Sequence, residues 1–385
     1  MRKKKGLIFA VILILVIAAL ICAYLLWEKA PAVNSERTSA LYVPAAAEDP
    51  SPTDEIETET TPEPTVEPTP EPTPTPIAEI APQSARQDGV YTILLAGEDQ
   101  ISGNTDTILV GKIDTVNHKM DFVSIPRDTL LNMDGDMRKI NCIYYKARER
   151  GADAARELVN KVTDLIGFEV DCYAKTDLDA FVRAVDAVGG IDYFVEQEIW
   201  MYDVWQHLFT YIPEGMQHLD GYHAMCLVRY RAGYADADLG RINVQHDFLK
   251  AAAKQMISLG NIPNLPKVLG ILTENLDTNL SVSNIAYLIR QALLCNPEDI
   301  SFYTVPVAGK TLGEGLSYAV IILYQWRDMI NAYLNPFSEP ITIDDLNVMY
   351  NDYFGIGCTK VPEGAWYYVG LAEAERAAAQ QQYGW

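Results

Sequence analysis

The first departure from mixed polar and apolar positions is an uninterrupted apolar run from Gly6 to Trp27, 22 residues without a charge. About 20 such residues in a helix span the hydrocarbon of a bilayer. The apolar part of a cleaved signal peptide is shorter, about 7–15 residues, and ends at a small-residue site. This run leaves through Tyr24 and Trp27 and is preceded by Arg2, Lys3, Lys4 and Lys5. The pattern predicts an uncleaved membrane anchor (6–27), a basic cytoplasmic tail (1–5) and a single pass that puts all later residues outside the cell. Residues 31–88 then lose apolar periodicity, and Thr61–Pro76 holds seven prolines in sixteen residues. Such a stretch buries no core, favours extended polyproline II and predicts a spacer reaching roughly 50 Å.

From Val90 the pattern alternates between the periods of strands and helices. Tyr91–Ala96 is a short apolar run rich in β-formers; Asp106–Asp114 and Lys119–Ile125 flank Thr115–His118 and predict a hairpin. A helix is expected near Ala152–Ile166, a strand over Phe168–Lys175, and a second helix opening on Thr176 and Asp179 at capping-box spacing. Gly189-Gly190 ends that helix and Ile191–Val195 begins another strand. Leu219–Tyr230 and Asp238–Met256 are further helices with aspartates at their starts. This order predicts an α/β fold, a mixed central sheet flanked by helices, over an extracellular domain at 89–337. Residues 338–385, aromatic at first and Ala/Gln-rich at the end, form an extension with no assigned role beyond packing on the main domain.

Charge narrows the function. Of 385 residues, 30 are Lys or Arg and 52 are Asp or Glu, a formal net charge of −22, which excludes a nucleic-acid partner because phosphate neutralisation needs a basic surface. Beyond the anchor five cysteines remain (Cys142, Cys172, Cys226, Cys295 and Cys358), an odd number with no CxxC spacing. Spacing permits a Cys142–Cys172 pair without establishing it. There is no GxSxG and no HExxH, and the P-loop-like Ala308–Gly315 has Thr304 where its first glycine belongs.

Carboxylates and arginines gather instead at the predicted element ends. Asp99 follows the first strand and Asp106 opens the second; Arg127 and Asp128 follow the third after Pro126. Arg229 and Arg231 leave one helix, while Asp238 and Arg241 lie in the first turn of the next. Strand ends are where α/β sheets bind ligands, and a helix start adds backbone N–H groups. Guanidinium groups suit phosphate oxygens. Asp99 and Asp106 are candidate ligands for Mg²⁺, which takes carboxylate and phosphate oxygens together. Arginines with Mg²⁺ are the ingredients of phosphoryl transfer, where positioning and charge neutralisation do most of the catalysis.

At these residues the chain resembles the LytR–CpsA–Psr family of Gram-positive cell-envelope proteins. The matching segments are LLAGED, NTDTILV, SIPRDT, Lys139–Asn141, Asp186–Asp192, LDGYHAMCLVRYR and DLGRINVQHDFLKA, in family order over about Val90–Phe337. The resemblance implies an enzyme that transfers a phosphate-linked glycopolymer, teichoic acid or capsule among them, from a polyprenyl-pyrophosphate lipid to peptidoglycan. It implies an apolar tunnel for the lipid, Asp99 and Asp106 at the metal, and Arg127, Arg229, Arg231 and Arg241 on the pyrophosphate. Asp128 and Asp238 would support them, and Gln245 matches a polar position of the last motif. The chain departs from the pattern at Asn104, where the family usually has Arg, and at Val244–His246, where a second basic residue is lost. Two other functions share these residues: a non-catalytic polyprenyl-phosphate binder that regulates envelope assembly, and a pyrophosphatase using water.

Overall fold

The computed structural model describes residues 29–34, 85–99, 103–135, 137–203, 208–234, 238–257, 265–312, 315–352, 355–360 and 369–370. The basic tail, the apolar run 6–27, the proline-rich segment and the Ala/Gln-rich end lie outside them.

Strands β1 (Val90–Glu98), β2 (Thr105–Asp114) and β3 (Lys119–Ser124) form an antiparallel meander. The β2–β3 connection is tied by the Asp114 carboxylate, which accepts from the backbone N–H groups of Val116 at 3.0 Å and Asn117 at 2.8 Å. Helices α1 (Cys142–Glu149) and α2 (Ala154–Ile166) follow, then β4 (Cys172–Asp177), parallel to β1. Helix α3 (Leu178–Ala187) starts on Asp177, whose carboxylate accepts from Ala180 N–H at 2.8 Å. A single Asp177 cap therefore replaces the capping box expected from Thr176, because β4 runs on through Thr176 and leaves Asp177 as the turning point.

Next come β5 (Ile191–Val195), β6 (Ile199–Asp203), β7 (Leu208–Ile212) and β8 (Gly215–Leu219), paired β5 with β8 and β6 with β7. Helices α4 (Gly221–Arg229), α5 (Asp238–Ile257) and α6 (Leu265–Asn275), the short β9 (Asp277–Thr278), α7 (Val282–Leu294) and β10 (Ile300–Thr304) complete the part that carries the site. The central sheet is mixed, in the order β10-β3-β2-β1-β4-β9. Strands β11 (Val307–Leu312) and β12 (Leu316–Ile321), helix α8 (Leu323–Met329), and strands β13 (Met349–Asp352), β14 (Gly355–Cys358) and β15 (Val369–Gly370) follow, and the five strands make a second sheet.

The pleat of the central sheet divides its side chains between two environments. Leu94 and Ala96 of β1, Ile108 and Val110 of β2 and Val123 of β3 join one large core with α2 and α8. That core also contains Phe337, Ile341, Leu346 and Val348, so the chain just past residue 337 is part of the domain's interior. Trp326, fully buried, donates its indole N–H to Leu165 O at 2.8 Å. The alternate residues Ile93, Leu95, Leu109, Met120 and Phe122 face a cavity instead. Gly111 on that face is required by close approach: a Cβ there would come within 2.5 Å of the Phe122 ring.

The two ends of the proline-rich segment meet on this domain. The Asp171 carboxylate, buried, accepts from Asn34 N–H at 2.6 Å, from Thr92 N–H at 2.7 Å and from the Thr92 hydroxyl at 2.8 Å, and it pairs with Arg86. Arg86 in turn donates to Asn34 O at 2.8 Å. Upstream, Asn284 at the start of α7 donates to Lys29 O at 2.8 Å. A segment whose ends are joined in this way adds no reach between the apolar run and the domain. Cys142, Cys172, Cys226 and Cys295 are free and buried, so Cys142 and Cys172 are not bridged to each other.

Candidate active site

Because β1, β3, β4 and β10 all point the same way, the ends of β1 and β3 open on one edge of the sheet together with the start of the antiparallel β2. Asp99 follows β1 there, Asp106 sits at the start of β2, and Arg127 and Asp128 follow β3. Asp106 owes its place to a β-bulge: Gly97 pairs with Thr107 and Glu98 with Thr105, leaving Asp106 as the extra residue. Bulges re-aim side chains in this way beside functional sites. The loop from α4 to α5 brings Arg229, Arg231, Asp238 and Arg241 to the same edge.

These residues form one ion-pair network. Arg127 contacts Asp106 at 3.0 Å and Asp238 at 3.5 Å. Arg241, only 4% exposed, holds Asp238 at 2.8 Å. Arg229 lies 3.7 Å from Asp99, and Lys139 lies 2.9 Å from Asp128. Burial pulls the Arg127 guanidinium pKa down, but Asp106, Asp238 and Asp128 outweigh it and hold the group above its ordinary value. Burial dominates at Arg241 and lowers its pKa despite Asp238, with Arg127 and Arg231 adding repulsion; a guanidinium keeps its proton regardless. Arg231 stands exposed and makes no ion pair among the described residues. Gln245 donates its amide to Val228 O at 3.0 Å, tying α5 to the last turn of α4 next to Arg229.

Behind this rim lies a cavity of about 960 Å³, lined by Asp99, Asp106, Arg127, Asp128, Arg229, Arg231, Arg241 and Gln245 at its charged end. Asp238 touches the cavity only through its two arginines. One face of α5 runs the whole depth: Arg241, Gln245, Phe248, Leu249, Ala252, Ala253 and Met256 all line it, at the spacing of a single helical stripe. From Arg241 to Met256 that stripe covers roughly 22 Å at the helical rise, and it changes from charged to wholly apolar on the way. Opposite it stand Met120, Phe122, Ile300 and Phe302 of the sheet and Ile285, Leu288 and Ile289 of α7.

Four arginines and Lys139 face four aspartates, an excess of one positive charge, so a pyrophosphate is not neutralised by the protein alone. The Nε atoms of Arg127 and Arg241 are buried and have no hydrogen-bond partner among the described residues. No group of three or more His, Cys, Asp or Glu side chains placed to hold a metal occurs among the described residues. Asp99 and Asp106 both line the rim, each facing an arginine, Arg229 at 3.7 Å and Arg127 at 3.0 Å, so an ion held there would take most of its ligands from substrate phosphates and water.

Every site residue expected from the sequence except Asp238 lines this one cavity, and Asp238 is bound into its rim. Lys139, recognised only within a motif, joins the network through Asp128. Glu98 also lines the cavity; buried, it pairs with Lys175 at 2.5 Å and Arg148 at 2.6 Å. Asn104 lines the rim and its carbonyl accepts from Asp99 N–H at 2.9 Å, while Val244 packs in an apolar cluster with Phe181 and Val228.

His246, next to the α5 stripe, is buried under the cavity wall, with its Nε2 2.7 Å from Ser124 Oγ and its ring stacked on Phe302. Burial, reinforced by the charge of Lys250, pushes its pKa down to about 4. Below the ordinary value of about 6.5 the unfolded chain takes up a proton that the folded one refuses. Stability is thus expected to fall as pH drops from about 6.5 to 4, by about 3 kcal/mol from this group. Urea unfolding at pH 7 and pH 4 should show that loss in the wild type and a smaller one in His246→Gln, where an amide keeps the Ser124 contact without titrating.

A family model described as the LytR_cpsA_psr family matches residues 54–331. The chain is 32% identical over 203 residues to the polyisoprenyl-teichoic acid–peptidoglycan teichoic acid transferase TagV of Bacillus subtilis (strain 168), covering 50% of this chain and 50% of that protein. It is 28% identical over 229 residues to the regulatory protein MsrR of Staphylococcus aureus (strain COL), covering 58% of this chain and 66% of that protein. The chain thus spans about half to two thirds of the length of these curated relatives. The crystal structure of B. subtilis TagV superposes with a TM-score of 0.55 at 26% identity, covering 64% of this chain and 96% of that one.

Proposed function

The chain belongs to the LytR_cpsA_psr family, and on that premise we propose that it is a membrane-anchored extracellular phosphotransferase. Its donor is a glycopolymer linked through pyrophosphate to a polyprenyl lipid, and its acceptor is peptidoglycan. The observation that carries this reading is the α5 stripe, which takes one continuous cavity from the Arg241 rim to the apolar Met256 end. An amphiphile with a doubly anionic head and a long hydrocarbon tail matches that gradient. A free nucleotide or soluble sugar phosphate would leave the apolar depth empty. TagV carries the name of a teichoic acid transferase, which supports the same chemistry here.

In the proposed reaction a sugar hydroxyl of the acceptor attacks the phosphorus that bears the glycan. An O–P bond forms, the bridging P–O bond breaks, the hydroxyl proton passes to water, and polyprenyl phosphate leaves into the cavity. Arg127, Arg229 and Arg241 are prearranged around that position and stabilise charge as it develops on the phosphate oxygens. Arg231, which pairs with no carboxylate among the described residues, is able to meet the incoming head first. Mg²⁺, with Asp99 and Asp106 as its protein ligands, would supply further neutralisation of the pyrophosphate. The anchor at 6–27 fits this role. Lys29 lies two residues beyond it and accepts from Asn284 in α7, a helix that lines the cavity, which supports a position of the cavity close to the membrane where the lipid donor resides.

Incubating the full chain with a polyprenyl-pyrophosphate-linked glycan and Mg²⁺, with and without peptidoglycan oligomers, tests the proposal by mass spectrometry. Glycopolymer on peptidoglycan, formed only with acceptor present and abolished by EDTA, is the expected product. Free phosphorylated glycan in both conditions would make the protein a pyrophosphatase. Tight lipid retention without turnover would make it a binding protein.

A further inference from the structure

The paired strands β6 and β7 have two unlike faces. Inward, Ile199 and Ile212 are buried and Met201 lines the cavity. Outward, two cross-strand aromatic pairs stand in the open. Trp200 packs on Tyr211 with ring centroids 4.3 Å apart, and Tyr202 on Phe209 at 4.9 Å. Trp200 is 64% exposed and Tyr202 76%. Four aromatic rings ordered against one another and left in water cost solvation free energy, and a patch of this kind marks a contact surface.

Charge selects the occupant. Residues 191–222 contain six Asp or Glu and neither Lys nor Arg. Aromatic residues that dip into a bilayer are aided by basic neighbours that attract anionic lipid, and here the neighbours repel it. An anionic wall polymer is disfavoured for the same reason. A neutral pyranoside strand is not. The axial C–H bonds of a sugar ring carry slight positive charge and lie well on the negative faces of aromatic rings, while carboxylates accept from its hydroxyl groups. Glu198 is already placed for this, with its carboxylate 3.3 Å from the Tyr211 hydroxyl. Trp200 and Tyr202 are two positions apart on one strand, roughly 7 Å, so successive sugars of an extended strand meet successive pairs.

The platform is continuous with the site. Gln197, just before β6, donates its amide to Gly233 O at 3.2 Å, in the loop that carries Arg231. Tyr222 of α4, the helix that ends in Arg229, donates to Phe209 O at 3.4 Å. We infer that the outer face of β6 and β7 is a binding platform for a neutral, N-acetylated β-linked glycan strand, which it presents to the arginine rim. The choice of the acceptor strand as occupant rests on the transfer proposed above; the binding itself does not.

The test measures binding of a β-1,4-linked N-acetylglucosamine hexamer to the full chain in detergent by calorimetry, with no lipid donor and no metal. The wild type is expected to bind, Trp200→Ala to bind about tenfold more weakly, and Trp200→Phe, which keeps a ring, to stay within a few-fold of the wild type. Since the side chain is exposed, melting temperatures should agree among the three. Equal binding by Trp200→Ala and the wild type, or no binding by the wild type at millimolar hexamer, would overturn the inference. So would a bilayer role, seen in liposomes as bromolipid quenching of the fluorescence lost in Trp200→Phe. If hexamer binding follows the rings while no transfer occurs, the platform stands and the transferase reading falls.

Discussion

Arg231→Ala is expected to lower glycopolymer transfer by about two orders of magnitude while leaving the melting temperature unchanged. The side chain is exposed at the cavity rim and holds no carboxylate among the described residues, so the folded state loses little with it. Removing one prearranged donor from developing oxyanion charge costs about 10²–10³ in rate. Arg241→Ala should abolish transfer for a similar reason, yet it should also destabilise. Arg241 is buried and holds Asp238 at 2.8 Å, whereas the remaining partner, Arg127, stands 3.5 Å away. Asp238 is about a quarter exposed and keeps Arg127, so losing its closer partner costs about 1–3 kcal/mol, or roughly 2–12 °C in melting temperature for a domain of this size. Asp238→Ala combined with Arg241→Ala removes the orphaned charge and should recover much of that stability without recovering transfer. Calorimetric melting beside the acceptor assay checks all three variants. Full transfer by Arg231→Ala would remove that residue from the site.

Much of this rim was legible in the sequence because its residues sit where elements end. Pro126 must stop β3, so Arg127 and Asp128 had to leave the sheet at its edge; the aspartate and arginine one turn apart at the start of α5 had to share a helix end. What one chain segment cannot reveal is the partner strand. Asp106 becomes a bulge residue only because Gly97 and Glu98 shift register opposite it. Asp177 rather than Thr176 caps α3 because β1 holds β4 in register as far as Asp177. The cavity was harder still, since its wall is assembled from alternate residues of five strands of the central sheet with stripes of α5 and α7. On α5 two of the lining residues are alanines, which read as helix formers rather than as a lipid-facing surface. The composition of the proline-rich stretch favours extension, and the stretch lies outside the described residues, but Asn34 and Arg86 at its two ends are brought together by Asp171, more than eighty residues beyond Arg86. Nothing in the sequence marks the aromatic residues of β6 and β7 as exposed; they turn outward because the inward positions are occupied by Ile199, Met201 and Ile212.

Ala253→Trp is expected to turn the protein into one that discriminates by lipid length. Ala253 lies on the cavity stripe of α5, roughly 18 Å below Arg241 at the helical rise, beyond the charged rim and among Leu288, Ala292 and Ile300. An indole there projects into open cavity rather than into a filled core, so the overpacking penalty of a core substitution does not apply. It occupies space that the far end of a polyprenyl tail would otherwise fill. Each methylene kept in water instead of in the cavity costs about 0.8 kcal/mol. Displacing only two of them therefore weakens the donor by about fifteenfold, and displacing an isoprene unit or more raises the loss past a hundredfold. A short-chain analogue whose tail stops above Ala253 has nothing to lose. In the transfer assay KM for the long-chain donor should rise steeply while kcat/KM for the short-chain donor stays near wild type, because the Arg241 rim is undisturbed. An equal loss with both donors would mean that the indole distorts α5 and its arginine. No loss with either would mean that the lipid tail lies elsewhere, and the α5 stripe would no longer support a polyprenyl donor.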